Sequence, residues 1–90
     1  MKPTTAQYNL LHDVVLEILR NNSELAAGVS LQTTIAELKF DSLERIDFSL
    51  ELEDSLNCEI DDIWLEKECT GAMTVQELID FIADGRIKFH

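Results

Sequence analysis

The stretch KFDSLERIDFSLELEDSLNCEIDD, residues 39–62, decides how this chain is read. From Asp41 onward its twenty-two residues hold nine of the protein's eighteen acids and a single base, Arg45. On a wheel of about 100° per residue, Glu44, Asp47, Glu51 and Asp54 share a sector of about 80°. Leu43, Ile46 and Leu50 fall on one side of that stripe, and Phe48, Leu52 and Leu56 on the other. An acid face between two apolar faces predicts a helix that begins at Asp41 or Ser42 and ends near Leu56. Asp41 suits an N-cap, and Glu44 three residues on completes capping-box spacing. Like charges at these spacings cost roughly 0.2–0.5 kcal/mol per pair on an isolated helix. A merely solvated face explains solubility. A strip awaiting Arg and Lys from partners also explains why half of the acids crowd into a quarter of the chain. Phe48, Leu52 and Leu56 are expected in the core, and Leu43 and Leu50 at a partner contact.

Working outward, the flanks also read as helical. A first helix is predicted from about Thr5 to Asn21, opened by Thr4 and Gln7 at capping-box spacing. Its inward face is Tyr8, Leu11, Val15, Ile18 and Leu19, widened by Leu10 and Val14. Residues 22 to 37 read as a long ordered loop or a partly helical stretch, pinned by Leu25, Val29, Leu31, Ile35 and Leu38. A short third helix is expected over Asp61–Glu68, with Ile63 and Trp64 turned inward. The last helix is the clearest: Thr74 and Glu77 form a capping box, and Val75, Leu78, Ile79 and Ile82 mark one face. Gly85 is its stop, with Arg86 and Lys88 just beyond, where positive charge suits the helix dipole. Strict alternation is absent, so a sheet is not expected. The reading is all-α: one domain over residues 1–90, a small four-helix bundle with a long loop between helices one and two.

Ninety residues bury one thin core and leave little for an enzyme cleft. The net charge of −11 argues against nucleic acid and anionic membrane, since phosphates are bound by clustered Lys and Arg. No apolar run is long enough for a membrane span, and the expectation is a cytoplasmic monomer with Cys58 and Cys69 as reduced thiols. Ser42 lacks the surroundings of a catalytic nucleophile. The only histidines are His12 and His90, and no Gly-x-Ser-x-Gly elbow encloses it. Its place in the first turn of a helix, among unpaired N–H groups, instead suits a phosphoester.

With these features on the page, FDSLERIDFSLELEDSLNCEID resembles the Asp-Ser-Leu segment and following helix of acyl carrier proteins. The likeness runs from about Tyr8 to Ala83 and closes on TVQELIDFI. It implies the acyl-carrier fold, and a 4′-phosphopantetheine arm added to Ser42 from coenzyme A by a phosphopantetheinyl transferase. Asp41 would assist that enzyme's metal, and Leu43 and Glu44 would contact the enzyme. Asp47, Leu50, Glu53 and Asp54, with Glu51 in the same stripe, would meet client enzymes. Ile60 would help to shield the cargo. Clients of the acyl-transferring, ketosynthase or ligase type are implied, in fatty-acid or polyketide synthesis. Lys39 and Phe40 stand where the family often has a glycine two residues before the aspartate, and Asp61 where it often has proline. The stretch between EI and TV, with Trp64, Cys69 and Gly71, is longer than in typical fatty-acid carriers. These departures imply a specialised carrier, of an unusual acyl chain, a polyketide intermediate or an aminoacyl group. The alternative is an unmodified acidic module that docks a basic partner. A calcium or zinc site is disfavoured by the spacing of the acids, Cys58, Cys69, His12 and His90.

Overall fold

Two reciprocal hydrogen bonds fix the start of the first helix. The Thr4 N–H donates to Gln7 Oε1 (2.9 Å) and the Gln7 N–H to Thr4 Oγ1 (3.2 Å), the capping box expected from the spacing. The computed structural model describes residues 4–22, 28–39, 42–61 and 71–89, with Ser42 placed by its backbone. Helix α1 is Thr5–Asn22, and its buried stripe is Leu11, Val15, Leu16, Ile18 and Leu19. Leu16 joins the face, whereas Leu10 points away and is half exposed.

The expected loop contains a short helix, α2, at Ile35–Leu38. Thr34 and Glu37 cap it with a second capping box, and Lys39 ends it in the left-handed conformation (φ 52°). Val29 and Ile35 are buried and Leu31 and Leu38 pack against the core, so the loop is pinned where expected. Leu25 lies outside the described residues.

Helix α3, Ser42–Leu56, has the predicted bounds. It packs on α1, with Phe48, Leu52 and Leu56 in the core. Helix α4, Val75–Ala83, is the expected last helix. Val75, Leu78, Ile79 and Ile82 are completely buried, the Thr74–Glu77 box closes its start, and Gly85 follows it with φ +82°. That left-handed backbone is one only glycine adopts at no steric cost. Beyond it, Arg86 donates to the carbonyls of Phe81 (3.2 Å) and Asp84 (2.9 Å). Its guanidinium lies 3.6 Å over the Phe81 ring.

Helices α1 and α4 are tied together through Tyr8. Its hydroxyl donates to Asp80 Oδ1 and accepts from Gln76 Nε2 (3.0 Å). The bond to the Asp80 carboxylate, with partial burial, holds the phenol above its ordinary 10.0.

The sheet expectation is corrected. Strand β1, Cys58–Ile60, pairs antiparallel with β2, Ile87–Phe89, in the register Cys58↔Phe89, Glu59↔Lys88, Ile60↔Ile87. Three-residue strands are too short for alternation to show, and the pairing depends on residues about thirty apart. Cys58 and Ile87 are buried, Glu59 and Lys88 exposed, so the ribbon still alternates across its length. The described residues thus form four helices in a mostly helical fold of the acyl-carrier type, plus one ribbon. The helix expected over Asp61–Glu68 lies, beyond Asp61, outside the described residues.

Candidate functional site

Ser42 is the first residue of α3, so its backbone belongs to the turn whose N–H groups have no partner within the helix. Asp41 and Phe40 lie outside the described residues. Immediately after Ser42, Leu43 is 67% exposed and Glu44 is exposed. Further along α3, Phe48, Leu52 and Leu56 are buried.

From Ser42 the helix presents three strips. The acids Glu44, Asp47, Glu51 and Asp54 are all exposed, as the wheel requires. Beside them Leu43, Ile46 and Leu50 form an apolar ridge, with Leu50 59% exposed and Ile46 45%. Ile46, which the wheel set in the same sector as Leu43 and Leu50, is exposed beside them. On the other side a cavity of about 110 Å³ opens between helices. Ile18, Leu19 and Asn22 of α1 and Leu38 of α2 form one wall, and Glu44, Asp47 and Phe48 of α3 the other. Only the structure shows it, since it joins residues thirty positions apart.

Glu53 and Ile60 take a different role from the stripe. Glu53 is half-buried, and its Oε2 accepts the Ile60 N–H at 3.3 Å. The carboxylate thus ties β1 to the last turns of α3. Ile60 is half-buried and packs against the core. Cys58, next to them, is a buried free thiol whose Sγ lies 3.8 Å from the Leu52 carbonyl. Burial pushes it up to about 11, with the negative charge of Glu53 adding to the effect. It is a small core hydrophobe, as the sequence suggested. Cys69 lies outside the described residues. Among the described residues, no three His, Cys, Asp or Glu side chains come together as a metal site, and no helix is long and apolar enough to cross a membrane.

The described residues make a small, mostly helical domain in which Ser42 heads a helix with an exposed acid face. Residues 9–82 match the family described as the phosphopantetheine attachment site, and the chain belongs to that family. Comparison with curated proteins and with solved structures gave no match. The family's covalent group is 4′-phosphopantetheine, and its members are carriers rather than catalysts. The described residues fit such a group. The first turn of α3 offers N–H groups suited to a phosphoester, and the next two residues, Leu43 and Glu44, are exposed. When bound, the group supplies a flexible tether ending in a thiol.

Proposed function

We propose that Ser42 is the attachment residue, and that the protein holds acyl or related intermediates as thioesters and presents them to biosynthetic enzymes. The observation that carries this reading is the position of Ser42 as first residue of an exposed helix, inside the matched family span. Attachment would form a bond between Ser42 Oγ and the phosphorus of the pantetheine phosphate in coenzyme A. The pyrophosphate P–O bond breaks, the adenosine bisphosphate leaves, and the hydroxyl proton passes to a base on the transferase.

This chain's own contribution is then to position and to dock. Asp41 assists the transferase's metal, and Leu43 and Glu44 meet that enzyme beside the attachment point. Asp47, Leu50, Glu51 and Asp54 form the strip that basic clients read, through weak contacts that salt weakens further. Ile46 belongs with this group on its exposure. Glu53 acts through β1 by holding Ile60 in place. The tether raises the effective concentration of its load at each client. The chain works as a cytoplasmic, monomeric carrier.

Intact-protein mass after incubation with coenzyme A, magnesium and a promiscuous phosphopantetheinyl transferase tests the reading. One added phosphopantetheine is expected on the parent and none on Ser42→Ala. No addition to the parent, under conditions that modify a control carrier, would overturn it in favour of an unmodified docking module.

A further inference from the structure

We propose that Ser49 selects the carried group, its hydroxyl forming a hydrogen bond with the oxygen on carbon 3 of a 3-oxoacyl or 3-hydroxyacyl chain. The inference rests on the reading of Ser42 as the attachment residue, and it names the class of cargo for that same site.

Ser49 departs from the pattern of its own helix. Its neighbours Phe48 and Leu52 are buried core residues, and Ser49 is buried with them. Among the described residues its Oγ meets no hydrogen-bond partner. The usual relief for a serine inside a helix, a bond to the carbonyl four residues back, is not made. A buried hydroxyl left unpaired carries its full desolvation cost, and native cores hold few such groups. Breaks of this kind concentrate at functional sites, where the missing partner comes from outside the chain.

The position of Ser49 ties it to the attachment point. On the helical wheel Ser42, Ile46, Ser49 and Glu53 fall within a sector of about 60°, so they form one line along α3. Ile46 is 45% exposed, which makes Ser49 the first buried residue on the line that descends from Ser42. The two serines are about 10 Å apart along the helix axis, at about 1.5 Å per residue. One turn further, Glu53 accepts the N–H of the half-buried Ile60 and closes the lower end of the line.

The chemistry of this spot sorts the classes of cargo. A plain alkyl chain suits Phe48 and Leu52 but leaves the hydroxyl unpaired. An aminoacyl group brings an ammonium, whose desolvation beside apolar side chains is too costly. A single oxygen on an otherwise apolar chain satisfies both demands, since a serine hydroxyl donates to a carbonyl and accepts from a hydroxyl. Carbon–carbon condensation of two thioesters leaves its oxygen on carbon 3, which fixes the class as 3-oxoacyl or its reduced 3-hydroxyacyl form. A site built to bond that oxygen discriminates against the chain that lacks it.

The test loads the full chain from coenzyme A analogues that carry an octanoyl or a 3-hydroxyoctanoyl chain through a stable amide, with loading verified by intact mass. Urea unfolding and the backbone amides in NMR are then followed on the parent and on Ser49→Ala, which loses an unpaired hydroxyl and so keeps the fold. With the 3-hydroxyoctanoyl load the parent's unfolding equilibrium constant should be about fivefold smaller than with octanoyl, the net effect of one hydrogen bond. In Ser49→Ala the two loads should agree within about twofold. The Ser49 amide of the parent should shift further with the hydroxylated chain. Equal unfolding constants for the two loads on the parent would overturn the proposal, and so would the same preference in Ser49→Ala. A Ser49 shift already complete with the unacylated arm would overturn it in favour of a bond to the arm itself. Absence of loading would remove the attachment at Ser42 and this proposal together, an outcome distinct from a loaded protein that shows no preference.

Discussion

Thr34 and Thr74 face each other in an isolated antiparallel bridge, and each is the N-cap of a helix with a complete capping box. Around them the Ile35 N–H donates to the Met73 carbonyl (2.9 Å) and the Val75 N–H to the Thr33 carbonyl (2.8 Å). The first-turn donors of α2 and α4, which a helix leaves unpaired, are thus satisfied in part by the other helix's approach strand. Two similar hexapeptides, TTIAEL and MTVQEL, are joined back to back at their helix starts.

Each cap is therefore expected to matter beyond its own helix. Thr74→Ala should cost about 1 kcal/mol, and Thr34→Ala a similar amount despite the shortness of α2. The double variant should depart from additivity by about 0.5 kcal/mol or more, because the two sites share partners. Urea unfolding of the four proteins measures this; strict additivity would mean that the two boxes act separately.

Ser49 is a cost inside the same core. It is 2% exposed, and its Oγ has no hydrogen-bond partner among the described residues. Removing an unpartnered buried hydroxyl should help the fold, so Ser49→Ala is expected to stabilise by about 1 kcal/mol. A higher urea midpoint with unchanged slope is the expected result.

The raised Cys58 thiol gives a pH dependence of definite sign. The unfolded chain releases this proton near the ordinary 9.0, while the folded protein keeps it to about 11. Stability from the neutral thiol is therefore complete below pH 9 and is lost as pH rises toward 11, by on the order of 1–2 kcal/mol. Tyr8, also raised, acts in the same direction once the pH passes its ordinary 10.0. Chemical unfolding across this range should show the decline, and Cys58→Val should flatten its first part. Reaction of Cys58 with an alkylating reagent should be slow at neutral pH until the protein unfolds.

The apolar ridge should matter for docking and not for folding. Ile46→Glu and Leu50→Glu replace half-exposed residues, so melting temperature should change little. Phosphopantetheine transfer should nevertheless fall about tenfold in kcat/KM, the effect of losing one good contact residue. Transfer at the parent rate would restrict docking to the acids.

What the sequence revealed follows the range of the forces involved. Capping boxes at Thr4 and Thr74, the faces of α3 and the stop at Gly85 are local, and each is legible within a few residues. The same local signal existed at Thr34 and Glu37, but the polar surroundings made the segment read mainly as loop, and four residues are too few to show a helical period. The ribbon and the cavity were not legible, because each is made by chain segments far apart. The three-strip surface of α3 was legible as geometry. The engagement of Glu53 was not, since it depends on β1 returning beneath the helix.

The ribbon also sets an order of events. Cys58 pairs with Phe89, and the Asp61 N–H with the Arg86 carbonyl, so β1 has no partner until the chain has been made almost to residue 90. During synthesis the three helices before it can form while the strand that seals Cys58 and Ile87 is still absent. Closing that distant pair comes after the local turns, as loop entropy requires. A nascent chain stalled before residue 86 would therefore hold its helices around an unsealed core, open to proteases along β1.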